Sequence, residues 1–308
     1  MNQELAAGQL EAEHLAADRR DGAIRLRDRG FLAGLGILGG SYVLLIVLLL
    51  LGDIAYMLQR TIAQAWESPQ PWLALLAENP IVKAMGQPEI RHSVLLSLAS
   101  CTLAAVVSVW IGVPMGYLLS RVKFRGRGAV DAILDIPIVL PPLVVGLSLL
   151  ILFQFWPLTA QVGGRSLNSL VVYQVPAVVL AQVSVSAAFA VRTMKATFDQ
   201  IDPRCEQVAL ALGCSRMQAF MRVVLPEARS GILTALTLAW ARALGEFGPL
   251  LIFAGATRNK TEVLSTSVFL EMSIGNIEAA VAVSIIMLVA AVAVLMVTRL
   301  WGARRLSL

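Results

Sequence analysis

Apolar residues in this chain are bunched into runs separated by short charged stretches. The runs cover Phe31 to Leu51, Ser93 to Ser120, Ala132 to Phe155, Val171 to Val191, Gly231 to Gly255 and Ile277 to Leu300. Each is long enough to supply the ~20 apolar residues that carry a helix across the hydrocarbon core. The pattern predicts an all-α membrane protein with six transmembrane helices. The outer connection from Gly52 to His92 is long and holds Trp66, Pro69, Pro71, Trp72 and Pro80. Tryptophans at such positions anchor a chain at the membrane interface.

Composition sharpens this. With 57 % hydrophobic and 15 % charged residues, the chain is too apolar for a soluble domain of 308 residues. The formal charge of +5 is distributed by side of the membrane: 18 of the 25 Lys and Arg residues fall on one side of the six-span layout. The positive-inside rule makes that side cytoplasmic and places both termini there. Residues 1–30, polar and too acidic for a signal peptide, are expected to form a cytoplasmic extension. Residues 31–308 are expected to form the membrane domain, with a long cytoplasmic loop at 193–230. Basic residues are not interleaved with aromatics, so no nucleic-acid partner is expected. Cys101, Cys205 and Cys214 lack metal-ligand spacing and are expected to be free thiols, with no metal bound. There is no phosphate loop and no Ser/His/Asp or Cys/His constellation, so neither nucleotide binding nor enzyme chemistry is expected of this chain.

The loop between the fourth and fifth runs is the most patterned polar segment. Asp202 suits a helix N-cap and Pro203 its first position. Cys205, Val208, Ala209 and Leu212 recur at helical spacing, and Gly213 suits a left-handed stop. A second helix follows, with Ser215 and Gln218 as a capping box, a stripe of Met217, Phe220, Met221 and Val224, and Pro226 as its end. Two helices this short are not stable alone. They must pack on the spans or on another protein.

Two spans carry unusual residues. Pro137, Pro141 and Pro142 disrupt the third, which continues through Gly146; broken backbone inside a membrane marks either a transport pathway or a packing kink. The fifth contains Arg242 and Glu246 four residues apart, followed by Phe247, Gly248 and Pro249. Intramembrane charges are functional candidates, but this spacing favours a structural Arg242–Glu246 pair, or Glu246 bound to a neighbouring helix, over direct contact with a substrate.

The loop resembles that of permease subunits in ABC importers, whose pattern is Glu-Ala-Ala, three residues, Gly, nine residues, then Ile-x-Leu-Pro. Here it reads Gln207-Val208-Ala209, Gly213 and Val223-Val224-Leu225-Pro226, with Glu206 beside the substituted position. The stretches Ile136 to Gly146, Ala243 to Gly248, Phe253-Ala254-Gly255 and Lys260-Thr261-Glu262 are similar to the sulfate, molybdate and tungstate branch. The resemblance implies a type I importer fold and a coupling helix over about Pro203 to Leu212. Its ATPase-coupling residues would be Glu206, Gln207, Val208, Ala209, Leu212, Gly213, Leu225 and Pro226. The pathway or gate would involve Pro141, Pro142, Gly146, Gly245, Glu246, Phe247 and Gly248. The implied partners are two ATPase subunits that carry ATP and Mg, a second permease copy forming a homodimer, an external substrate-binding protein and the lipid bilayer. The implied cargo is a small oxyanion, molybdate first, then tungstate or sulfate. Thiosulfate, ferric iron or an amino acid as cargo, and an ion-gradient-driven transporter, remain the alternatives.

Overall fold

The computed structural model describes the backbone of residues 2–66, 80–155, 159, 161–162 and 165–303, and the side chains within 31–63, 66, 80–155, 159 and 166–298. Pro69, Pro71 and Trp72 of the outer connection lie outside the described residues. The chain divides into two compact units, residues 1–59 and residues 60–308.

Helix α1 runs unbroken from Asn2 to Trp66. The expectation of a span ending at Leu51 and a loop from Gly52 is therefore corrected. Gly52 and Asp53 are followed by Ile54-Ala55-Tyr56-Met57-Leu58 with no proline before Pro69, so nothing interrupts the hydrogen-bond ladder. The apolar part, Phe31–Ala63, is long enough to cross a membrane.

In the second unit, α2 (Pro80–Gly86) leads into α3 (Pro88–Arg121). The third run is broken as its prolines require. Helix α4 (Arg127–Val139) stops at Leu140, α5 (Pro142–Leu152) restarts, and the two meet at 112°. A two-stranded ribbon, β1 (Gln161–Val162) and β2 (Arg165–Ser166), and α6 (Leu167–Val171) follow. The small ribbon is the one departure from an all-helical fold among the described residues. Helix α7 spans Val175–Gln200, later at both ends than the run from Val171 to Val191. Tyr173 at φ 57 makes the corner, and Pro176 in the first turn sets the helix start.

The α8 (Pro203–Ala211) and α9 (Arg216–Ala219) helices form the loop. Pro226 does not end the second helix. A π-helical turn, Phe220–Val224, carries the chain into α10 (Leu225–Glu227), with Pro226 in its first turn. The fifth run is also not one helix. Helix α11 (Arg229–Leu244) ends at Gly245, and a π-helical turn (Leu250–Ala254) follows Pro249. Two glycines and a proline within five residues account for the gap. Helices α12 (Leu264–Ser273) and α13 (Ile277–Ala303) complete the fold. Among the described residues, four unbroken helices are long and apolar enough to cross a membrane, or five if the bent α4–α5 pair is one span.

Packing centres on α3 and α7. Ser108, Gly112 and Gly116 lie one turn apart, as do Ser186, Ala190 and Met194 opposite. The two serine hydroxyls are 2.8 Å apart. A Cβ on Gly112 would stand 3.0 Å from the Ala190 carbonyl carbon, and one on Gly116 2.7 Å from the Met194 Cβ. Small residues on one helix face let two backbones approach, which supplies packing where lipid provides no hydrophobic drive. Both series ascend together, so α3 and α7 run parallel. The chain between them must double back, and the bent α4–α5 pair lies in that stretch.

Candidate functional site

The local sequence dictates how α8 begins and ends. The Asp202 carboxylate accepts from the Arg204 N–H at 2.9 Å, capping the helix. At the other end Gly213 takes φ +89, its N–H donates to Leu210 at 3.0 Å, and the Cys214 N–H donates to Ala209 at 3.1 Å. This paired closure is a Schellman stop, which favours glycine because it has no Cβ to strain. At α9, Ser215 and Gln218 exchange side-chain to backbone bonds of 2.9 and 3.3 Å, completing the expected capping box.

The apolar stripes do not turn inward as units. Ala209 is buried and Leu210 half-buried, but Val208 is 58 % and Leu212 80 % exposed, and Cys205 and Gln207 are also exposed. On the second helix Val224 is buried and Phe220 half-buried, while Met217 and Met221 are exposed. One side thus packs into a core cluster with Met194, Phe198, Ile201 and Ile232, and the other presents apolar side chains. Leu225 and Pro226 are half-buried at the edge of this seat. Glu206 turns away from the open face. Its Oε1 accepts from the Tyr117 hydroxyl at 2.5 Å, and its Oε2 lies 3.8 Å from Arg121 Nε.

The two broken spans meet. A Cβ on Gly146 of α5 would lie 2.7 Å from the Pro249 Cα, and one on Gly248 would lie 2.8 Å from the Leu143 nitrogen and 2.9 Å from the Pro142 Cβ. Pro142, Gly146 and Gly248 are therefore brought together, with Pro249 as the contact that sequence reading did not single out. Pro141 is exposed at the bend, and Gly245 is exposed at the end of α11. Phe247 packs on Phe269 of α12, with ring centroids 5.4 Å apart.

Among the described residues, several charges inside the fold are paired. Glu246 is buried and ion-paired with Arg242, as the four-residue spacing predicted, and its backbone carbonyl accepts from the Ser265 hydroxyl at 2.6 Å. The Arg242 guanidinium also lies over the Phe189 ring at 5.7 Å. Arg192 of α7 grips two aspartates of α4: its Nη1 is 2.6 Å from Asp131 Oδ1, its Nε donates to Asp135 Oδ1 at 2.5 Å, and Nη2 donates to the Asp131 carbonyl at 2.9 Å. Beyond the π-helical turn, Arg258 and Asn276 donate to the two oxygens of buried Glu271 at 2.7 and 2.9 Å. Ser267 donates to one oxygen of Glu262 at 2.7 Å, and the other oxygen is buried without a partner. Burial raises the Glu262 carboxyl above the ordinary carboxylate range; the Ser267 bond and the Arg258 charge offset part of that rise.

Three partners were not legible in the linear pattern: Tyr117 and Arg121 for Glu206, and Arg192 for Asp131 and Asp135. Each joins residues more than fifty positions apart. The available signal was an arginine at the end of an apolar helix, where it cannot remain unpaired in the membrane. Cys101 is buried, Cys205 exposed and Cys214 half-buried, all free thiols.

Residues 108–307 match the family described as binding-protein-dependent transport system inner membrane component. The sulfate transport system permease protein CysT of Salmonella typhimurium is 28 % identical over 272 residues, covering 88 % of this chain and 94 % of that protein. The molybdate/tungstate transport system permease protein WtpB of Pyrococcus abyssi is 36 % identical over 174 residues, covering 56 % of this chain and 64 % of that protein. A probable molybdenum ABC transporter permease protein of Haloferax volcanii is 43 % identical over 164 residues, covering 51 % and 57 %. In fold, the chain is similar to one from the crystal structure of a bacterial alginate ABC transporter in complex with an alginate pentasaccharide-bound periplasmic protein. The TM-score is 0.61 at 18 % identity, covering 84 % of this chain and 94 % of that one. With two thirds of its length in the family match and its helices in the matching fold, this chain belongs to the binding-protein-dependent transport system inner membrane components, the permease subunits of ABC importers.

Proposed function

We propose that this protein is the membrane pathway for a small oxyanion, molybdate first and tungstate or sulfate next, in an importer driven by ATP. Two copies of a separate ATPase, each using ATP and Mg, dock on the cytoplasmic side. Two copies of this chain form the pathway between them, and an external binding protein delivers the cargo. The six apolar runs then cross the membrane with both termini inside, the α11 segment crossing as a broken helix. The observation that carries the docking reading is the open apolar face of α8, with Val208 and Leu212 exposed on a helix too short to stand alone. The cargo rests on the sulfate and molybdate relatives. The binding-protein-dependent family favours this reading over a gradient-driven transporter.

Selectivity fits the same picture. Arg242 and Arg192 are neutralised by carboxylates, so an anion would pass a surface without a strong fixed cation, and choice of cargo would fall to the binding protein. A permease for thiosulfate, ferric iron or an amino acid is the second reading; among the described residues the pairing of Arg242 and Arg192 with carboxylates favours its cationic and zwitterionic cargoes.

Uptake of labelled molybdate into vesicles holding this protein, its ATPase and its binding protein tests the proposal. ATP-dependent uptake that tungstate competes strongly and sulfate weakly is the expected outcome. ATP-dependent uptake of a different solute alone would replace the cargo and keep the rest. No ATP-dependent uptake of any solute by the intact complex would overturn it.

A further inference from the structure

Glu206 stands at the family-like loop, yet its side chain is only 14 % exposed and turned from the open face of α8. Its two oxygens face two residues of one helix. Tyr117 and Arg121 are four apart on α3 and so share a face; the first donates to Oε1 at 2.5 Å and the second sits 3.8 Å from Oε2. Arg121 also donates through Nη2 to the Ile201 carbonyl at 2.6 Å, at the corner just ahead of the Asp202 cap. Its guanidinium thus spans the α7–α8 junction. Tyr117 is itself held edge-on by Phe198 of α7 at 5.6 Å and by Phe220 of the π-helical turn at 4.7 Å.

Apart from this pair, α8 is held by apolar contact through Ala209 and half-buried Leu210. Ala209 is its one buried residue, and a methyl group gives little to grip. A hydrogen bond to an ionised carboxylate is about twice as strong as a neutral one and is directional, so it resists sideways displacement in a way that apolar contact does not.

We infer that Glu206 is a positioning residue that latches α8 to α3 through Tyr117 and Arg121, so that movement of α8 is passed to the adjoining end of α3. The inference rests on the reading of α8 as the coupling helix. It assigns Glu206 an internal partner and leaves contact with the ATPase to Val208, Leu212 and their neighbours. When the ATPase draws α8 along, α3 moves with it, and α7 follows through the close α3–α7 packing.

The test uses the full complex in vesicles and compares Glu206→Gln, Tyr117→Phe and the double variant. Both substitutions keep shape; Tyr117→Phe removes only the hydroxyl that donates to Glu206. Labelled molybdate is the probe, or labelled sulfate where the unsubstituted complex imports that. Each single variant should keep the ATPase bound and hydrolysing, while solute moved per ATP falls about 10-fold, the loss of one charge-assisted hydrogen bond. The double variant should fall no further than the lower single, because Glu206→Gln takes the charge from, and Tyr117→Phe the donor of, the same hydrogen bond. Unchanged stoichiometry in both singles, or additive losses in the double, overturns the latch. So does loss of ATPase binding in Glu206→Gln with Tyr117→Phe unaffected, which would place Glu206 on the docking face. Leu212→Glu separates the underlying reading: if it leaves ATPase binding intact, α8 is not the docking helix and both ideas fall.

Discussion

Gly146 and Pro249 touch backbone to backbone: a Cβ on the glycine would stand 2.7 Å from the proline Cα, with the Ile252 Cβ 3.2 Å away. No flexible side chain is available to yield. Gly146→Val is therefore expected to cost about 1–3 kcal/mol, the range for overpacking, and Gly146→Ala less. Thermal unfolding of the purified complex measures the loss, and uptake should fall with it because the two broken spans are forced apart. A valine variant with unchanged melting and transport would show that this contact is not rigid.

Arg242 and Glu246 differ in burial, and the asymmetry sets what each substitution does. Glu246 is 1 % exposed and Arg242 29 %. Arg242→Ala strands a buried carboxylate, for which removal of one partner costs about 3–5 kcal/mol; partial exposure of the arginine points to the lower end. Glu246→Gln keeps a hydrogen-bonding oxygen beside Arg242, which also rests on the Phe189 ring, and costs less. Combining both substitutions should recover stability relative to Arg242→Ala alone. Yield and melting temperature of the three proteins decide it, and a double variant worse than Arg242→Ala would contradict the pairing.

Leu212 and Gly213 make separable contributions to the loop. Leu212→Glu should leave the permease folded, since the side chain projects outward, and should weaken ATPase retention in a pull-down. Gly213→Ala keeps that surface but places a side chain at φ +89, at a cost of about 1 kcal/mol. It should lower the melting temperature slightly and leave ATPase binding near normal. Equal loss of binding in both would mean that the loop responds to strain rather than to the leucine.

Glu262 supplies a pH dependence whose sign follows from its setting. Burial raises its carboxyl in the folded protein, so the folded state holds the proton more tightly than the unfolded chain. Stability contributed by that proton is present at low pH and is lost as pH rises from the ordinary carboxylate range through the raised folded value. Glu262→Gln should melt higher than the unsubstituted protein near neutrality, and the difference should shrink as pH falls. A difference in melting temperature that stays constant with pH would place the charge elsewhere.

How far these features could be read in advance depended on their range along the chain. The α8 cap, the Gly213 stop, the capping box at Ser215 and the Arg242–Glu246 pair each lie within six residues, and local stereochemistry determines them. The break at Pro141 and Pro142 was legible for the same reason. The break at Gly245 to Pro249 was less so, because the apolar run continues across it and periodicity averages over the gap. The extension of α1 to Trp66 was hidden by Gly52 and Asp53, which look like a span end but do not interrupt backbone bonding. Contacts such as Glu206 with Tyr117, or Gly146 with Pro249, depend on which helix faces come together, and a single sequence does not encode that in any local pattern.

The 112° turn between α4 and α5 makes this stretch of chain a knee rather than a rod. Its lower limb is clasped by Arg192 and belongs mechanically to α7, whereas its upper limb is wedged against Gly248 and Pro249 and belongs to the end of α11. A push along the lower limb arrives at Leu140 almost crosswise to the upper one and is spent in bending the joint. The two limbs are thus held by different neighbours, one by the Arg192 side chain and the other by the backbone of Gly248 and Pro249.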